Sequence, residues 1–351
     1  MHNYFRNEII EGDFSHADLQ EGTPLNRNEC PFDIPLDIKV RITERLLRSD
    51  WNRYPAQDII TLQKKLALKS GLQPDQFIVA NGTDSLVQSL INIINPHHKV
   101  LTLDPSLSVY ETQARLHGNK VIKVPLSEDF ELQTEKTLTT IKKEKPGLIF
   151  IANPHTPTGS LFDKKSLYSI IQTARCPVVI DEAYYPLTEE TALSWLDDFE
   201  NLIIMRSFSR AFALAGVRFG FMVAHVDITS QIEKFLLPYR ISIITSTIVE
   251  EILNHPDYVK ENIKAILSER ARLFSNMQKI NDLTVYPSEA NFLLFKVTNA
   301  RDIAKKLKDE KILVKNVSDD TTVKNCLRVT VGSPEENDLF LTVIRKILVT
   351  Q

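Results

Sequence analysis

Short apolar runs recur along the first two thirds of the chain: Phe77-Ile78-Val79-Ala80, Val100-Leu101-Thr102-Leu103, Leu148-Ile149-Phe150-Ile151-Ala152, Pro177–Ile180 and Leu202-Ile203-Ile204-Met205. They read as strands covered on both faces rather than strands with one face in water. The segments between them have apolar residues three and four positions apart, the spacing of a helix with one buried face. Helices are predicted over Ile38–Arg48, Ile59–Leu68 and Asp163–Ala174, and after Asn81-Gly82-Thr83-Asp84, where Leu86, Val87, Leu90, Ile93 and Ile94 follow. In the first of these, Val40, Ile42, Leu46 and Leu47 are expected on one face. Gly71 suits the C-cap of the second. Tyr110 falls on the helix after Asp104-Pro105. Strands alternating with helices predict an α/β fold, with a large domain built on a mostly parallel sheet covered by helices on both faces.

From about residue 245 the pattern changes. Helices over Ser246–Asn254 and Asp257–Gln278, strands Leu283–Tyr286 and Asn291–Val297, a helix Arg301–Lys308, strands near Leu313 and Leu327 and a closing helix Glu335–Leu348 predict a smaller α+β C-terminal domain. Residues 1–30 show little periodicity and read as an N-terminal arm. The expected division is therefore 1–30 for the arm, 31–244 for the large domain and 245–351 for the small one. The run Lys142-Lys143-Glu144-Lys145 is expected at a solvated helix end.

Composition narrows the partners. The 351 residues are 43% hydrophobic and 25% charged, which are globular values. A net charge of −3 gives no electrostatic case for nucleic acid or an anionic membrane as partner. Cys30, Cys176 and Cys326 are far apart with no CxxC pair, so neither a disulfide framework nor a metal site is expected. The first residues lack the apolar core of a signal peptide, and no apolar run approaches the roughly 20 residues of a membrane span. A cytoplasmic protein is the expectation.

Polar residues gather just after the predicted strands, where open α/β sheets bind ligands. After the first strand, Gly82 lets the turn tighten, and Thr83 and Asp84 are expected at the N-cap of a helix whose free N–H groups favour an anion. After the last, Ser207, Ser209, Arg210 and Arg218 suggest a second set of anion donors. Asp181 ends a strand beside Glu182, and a plain strand-terminating carboxylate explains it equally well. Read alone, Tyr54 and Tyr110 are packing aromatics, Arg218 a surface arginine and His155 a loop-stabilising residue.

Together these loops resemble the pyridoxal-phosphate enzymes of the aspartate-aminotransferase fold (fold type I), most closely the histidinol-phosphate aminotransferases. The resemblance rests on Leu25-Asn26-Arg27-Asn28-Glu29-Cys30-Pro31, Arg53-Tyr54-Pro55, Asn81-Gly82-Thr83-Asp84, Asn153-Pro154-His155-Thr156-Pro157-Thr158-Gly159, Asp181-Glu182-Ala183-Tyr184, Met205–Gly220 and Leu327-Arg328-Val329-Thr330-Val331-Gly332, in that order. It implies an aminotransferase using pyridoxal 5'-phosphate and acting as a homodimer. It further implies that Asp181 pairs with the pyridine nitrogen and keeps the ring an electron sink. Tyr184 would bond the ring's 3-oxygen and Tyr110 would stack on the ring. Gly82, Thr83, Asp84, Ser207, Ser209 and Arg218 would form the phosphate cup, joined by Tyr54 of the neighbouring subunit. On the substrate side, Arg328 would hold a carboxylate and Asn28 would line the pocket.

Three positions depart from that pattern. Arg210 stands where the family has the Schiff-base lysine. A guanidinium stays protonated in proteins and cannot serve as that nucleophile or proton shuttle, so any bound cofactor would be held non-covalently. Thr156 stands where an asparagine usually supports the 3-oxygen, and Lys315 where a phosphate-binding arginine is usual, with Arg240 as an extra cation that could compensate. Three outcomes follow: an aminotransferase acting on an amino acid and a phosphorylated or 2-oxo substrate, a lysine-free cofactor-binding enzyme with other chemistry, or a non-catalytic homologue that binds a phosphorylated small molecule or a partner.

Overall fold

The computed structural model describes residues 21–55, 57–318 and 321–349. The segment Thr23–Leu25 forms a first strand, β1, and the apolar runs follow as β2 (Phe77–Ala80), β3 (Val100–Asp104), β5 (Leu148–Ala152), β6 (Val178–Asp181) and β7 (Leu202–Ser207), with β4 (Val121–Pro125) between β3 and β5. With β8 (Gly220–Ala224) they make a seven-stranded sheet in the order β2-β8-β7-β6-β5-β3-β4. Pairing is parallel from β7 through β6, β5 and β3 to β4, while β8 runs antiparallel to both β7 and β2. The expected mostly parallel sheet is present. Two strands were not marked by their sequence, because Val121–Pro125 carries a lysine and Gly220–Ala224 follows directly on the polar loop of Arg218.

Alternation along each strand divides the apolar side chains between two helical layers. One face carries Ile78, Val100, Phe150, Val179, Ile203 and Met222 against helices α3 (Thr83–Ile93), α4 (Ser108–His117) and α7 (Val226–Phe235). The other face packs Phe77, Val79, Ile149, Ile151, Ile180 and Ile204 against α1 (Leu36–Leu47), α2 (Asp58–Ser70), α6 (Lys164–Thr173) and α8 (Ile243–Asn254). Helix α2 ends at Gly71 in the left-handed conformation expected of a C-cap, φ 72°. In α1 the buried positions are Ile38 and Ile42, whereas Val40 and Leu47 are 48% and 78% exposed. The expected stripe is thus displaced: Val40 lies about 200° around the helix from Ile38 and cannot share its face. Helix α5 (Thr134–Glu144) carries the Lys142–Lys145 run at its end.

The C-terminal strands β9 (Leu283–Val285), β10 (Phe292–Val297), β11 (Ile312–Asn316) and β12 (Cys326–Thr330) form a second, five-stranded sheet whose edge is β1, parallel to β11. It packs on α9 (Pro256–Met277), α10 (Ala300–Asp309) and α11 (Pro334–Val349) through Leu273, Ile303, Phe340 and Ile344. The arm thus contributes a strand to the C-terminal sheet, while Val249, Ile252 and Leu253 of α8 belong to the core of the large one. No helix among the described residues is long and apolar enough to cross a membrane.

Candidate active site

The site lies at the carboxyl ends of β2, β6 and β7, beside the loop after β1 and the central strand β12 of the smaller sheet. At the end of β2, Gly82 takes φ +81° and is itself the N-cap of α3; Thr83 and Asp84 occupy the first turn rather than the cap position expected for them. A Cβ at Gly82 would stand 2.6 Å from Arg218 Nη2, so the glycine makes room for the guanidinium to lie over the turn. Arg218 Nη1 donates to Ser209 Oγ at 3.4 Å, and Nη2 is 3.5 Å from Asp84 Oδ2. Ser209 N in turn donates to Ser207 Oγ at 3.1 Å. Glycine turn, helix N-terminus, two serines and Arg218 therefore meet in one cradle, although they come from separate loops.

Asp181 and Glu182 diverge because successive residues of a strand point to opposite faces. The carboxylate of Glu182 is buried against Arg206, with Nη2 2.9 Å away, and accepts from Thr191 Oγ1 and Ala192 N. Burial raises its pKa against the pull of Arg206. The Asp181 carboxylate accepts from Tyr110 Oη at 2.5 Å and from Ala183 N at 3.0 Å. Burial pushes its pKa up to about 6, opposed by these two donors and more weakly by the charge of Arg210.

Tyr110 is not placed to stack on a bound ring. It is fully buried, one face lies 4.6 Å from the Phe150 ring at 9°, and its hydroxyl belongs to Asp181. A tyrosine one turn into α4 faces the sheet core, which its spacing in the sequence does not reveal. His155 is likewise internal, bonded to Thr158 Oγ1 at 2.8 Å and to the Pro105 carbonyl at 3.0 Å, and burial lowers its pKa to about 4.

The side of the site toward the smaller sheet is organised by the loop Asn26–Asn28. Asn28, in the left-handed region at φ 56°, donates from Nδ2 to Tyr184 Oη at 2.9 Å and from its backbone N–H to Thr330 Oγ1 at 2.9 Å. Its carbonyl accepts from Asn291 Nδ2 at 2.9 Å and from Arg210 Nη1 at 3.0 Å, and the same Arg210 nitrogen reaches the Arg27 carbonyl at 2.7 Å. Arg328 Nη2 donates to the Asn26 carbonyl at 3.0 Å and Nη1 to Thr156 Oγ1 at 3.3 Å. Thr156 is therefore turned to Arg328, and the amide that meets Tyr184 comes from Asn28. Asn291 and Thr330 were not expected here. Thr330 sits two residues after Arg328 on the same face of β12, a signal that was available; Asn291, the first residue of the predicted strand Asn291–Val297, carried none.

Two expected cations lie otherwise. Arg240 is bound by both its Nη atoms to the Glu233 carboxylate at 2.9 Å, with Nε on the Val79 carbonyl at 2.7 Å, so it cannot serve as a spare substrate cation. Lys315 on β11 is exposed and directly opposite Arg328 on β12, which sets both side chains on one face of the sheet. Tyr54 is 78% exposed and stacks on Tyr239 at 4.6 Å, away from any buried contact.

A mostly parallel sheet covered by helices on both faces, with a buried acid at a central strand end, a glycine-turn cradle and an arginine on the neighbouring sheet, defines a class of enzymes, and the chain belongs to it: residues 20–344 match the aminotransferase class I and II family. Among curated relatives, the histidinol-phosphate aminotransferase of Vesicomyosocius okutanii subsp. Calyptogena okutanii is 34% identical over 99% of this chain and 98% of its own length. That of Caldanaerobacter subterraneus subsp. tengcongensis is 33% identical over 92% of each chain. The fold is that of the histidinol-phosphate aminotransferase of Sinorhizobium meliloti solved with pyridoxal-5'-phosphate, with a TM-score of 0.85 over 93% of this chain and 90% of the other at 23% identity. Pyridoxal phosphate is the cofactor of this family, and the cradle, Asp181 and Tyr184 suit its phosphate, ring nitrogen and 3-oxygen. Position 210 does not suit a covalent link.

Proposed function

We propose that the protein is a pyridoxal-phosphate-dependent aminotransferase of the histidinol-phosphate type that holds its cofactor without a covalent bond, moving an amino group between an amino acid and a phosphorylated or 2-oxo substrate. The observation that carries this is the convergence of the Gly82 turn, Ser209 and Arg218 with buried Asp181 and Tyr184 at one end of the sheet. The cofactor, when bound, supplies the electron-withdrawing ring that stabilises charge on the substrate carbon. The protein's own part is electrostatic. Arg218, Ser207 and Ser209 would take the phosphate, and Asp181, ionised above about pH 6, would keep a ring nitrogen protonated. Asn28 orients the Tyr184 hydroxyl, and Arg328 would hold the substrate carboxylate. With arginine at 210 the general acid–base contribution of a lysine is absent, worth roughly 10²–10⁴-fold.

Exposed Leu36, Val40, Leu47, Trp51, Tyr54 and Tyr239 support a homodimer in which Tyr54 extends toward the neighbouring cradle. A second reading, a homologue that binds the cofactor or a phosphorylated molecule without turnover, is favoured by Arg210 and by the Asp181 oxygen already taken by Tyr110. Adding pyridoxal phosphate to purified protein, recording the spectrum, reducing with borohydride and measuring the mass tests both. Binding with no covalent adduct is expected; an adduct on any lysine would overturn the non-covalent assignment. Arg210→Lys should then form a reducible adduct and raise amino transfer.

A further inference from the structure

Two half-buried arginines face the Asn26–Asn28 loop, and every hydrogen-bond partner they have among the described residues is an uncharged carbonyl or hydroxyl. The Nε of Arg210 and the Nε of Arg328 are both buried without an acceptor. Each group lies over an aromatic face, Arg210 Cζ 5.8 Å from the Tyr184 ring centre and Arg328 Cζ 5.1 Å from that of Phe292, and these two rings meet edge to face at 5.3 Å. With Arg210 Nη1 on two carbonyls and the Arg328 Nη atoms on one hydroxyl and one carbonyl, the Nε side of each planar guanidinium is the part left for a two-oxygen acceptor. Burial and the neighbouring Arg210 charge both lower the proton affinity of Arg328, against the opposing effect of Tyr184, as expected of two cations that lack an anion between them. Two neighbouring cations, each with a buried Nε lacking an acceptor, are costly, and an anionic ligand would offset that cost.

We infer that Arg210 is a second carboxylate-binding arginine: with Arg328 it forms a paired guanidinium site for the carboxylate of a small organic acid, closed on one side by Asn26–Asn28. The ligand is a carboxylate rather than a phosphate because the planar forks match two coplanar oxygens, and the cradle at Gly82, Ser209 and Arg218 already offers a separate place for phosphate. The residue that removes the covalent link thus adds affinity for the acid. This rests on the reading above in assigning a substrate carboxylate to Arg328.

The test uses the purified protein with no cofactor added, titrated calorimetrically with succinate and, separately, with inorganic phosphate. Succinate should bind, and Arg210→Gln and Arg328→Gln should each weaken it about tenfold or more, while phosphate affinity changes less than about twofold. Arg210→Lys, which keeps the charge but loses the fork, should fall between and decides the matter if Arg210→Gln fails to fold by circular dichroism. No succinate binding by the unaltered protein, unchanged affinity in Arg210→Gln, or a parallel loss of phosphate binding would overturn the inference. Faster proteolysis of the loop at 24–31 without a change in succinate affinity would also do so, leaving Arg210 a brace only. Pyridoxal phosphate absorbance, measured separately, reports whether the aminotransferase reading holds, so the two can fail independently.

Discussion

Asp181 and His155 are both buried, and burial moves their protonation in opposite directions. The Asp181 carboxyl goes from 3.8 up to about 6, so between those values the folded chain holds a proton the unfolded chain has lost, and its contribution to stability grows as pH falls. The His155 imidazole goes from 6.5 down to about 4, so the unfolded chain takes up a proton first and stability is lost over that window as pH falls. Between about pH 6 and 4 the two oppose each other. Asp181→Asn should therefore steepen the loss of stability on acidification in that window, read as Tm against pH; a slope unchanged from the parent would contradict it. Gly82→Ala meets both a positive φ and the Arg218 contact at 2.6 Å. It should cost about 1–3 kcal/mol in chemical denaturation and weaken pyridoxal phosphate binding about tenfold.

At the scale of elements, the strand ends decide what each acid does. One step along β6 carries the chain from Asp181, on the face of α4, to Glu182, enclosed with Arg206 of β7. Arg206→Ala would leave Glu182 buried without its partner and should cost about 3–5 kcal/mol, with urea unfolding as the measurement. The length and type of most strands were readable in the apolar runs, since a strand covered on both faces has no place for polar residues. The boundary of α1's buried face was not, because a helix with apolar residues on two opposite sides, Leu36, Val40 and Leu47 against Ile38 and Ile42, does not announce which side will meet the sheet. That side is chosen by α8, whose Val249 and Ile252 pack in the same core as Ile38 and Ile42.

For the whole molecule, the arm strand β1 ties the N-terminal segment to the C-terminal sheet, so Asn28 and Thr330, which are 302 positions apart, share a hydrogen bond. The exposed Val40, Leu47 and Tyr54 are expected to be covered by a second copy of the chain. Val40→Glu combined with Tyr54→Ala should shift the sedimentation coefficient toward that of a monomer and lower cofactor affinity together. A monomeric parent protein would remove this proposal.

By itself the sequence determined the α/β class, the mostly parallel sheet, and the loops that gather at its carboxyl end, because these follow from local periodicity and from where polar residues interrupt apolar runs. It also determined the chemistry denied to position 210, since a guanidinium keeps its proton wherever it is placed. Only the tertiary structure decided that Tyr110 serves Asp181 rather than a stacked ring, that Arg240 is spent on Glu233, and that Arg210 and Arg328 stand together over one loop without an acid between them. Such pairings are set by through-space contact between residues far apart in the chain, and spacing along a sequence carries no record of which charges will be left without a partner.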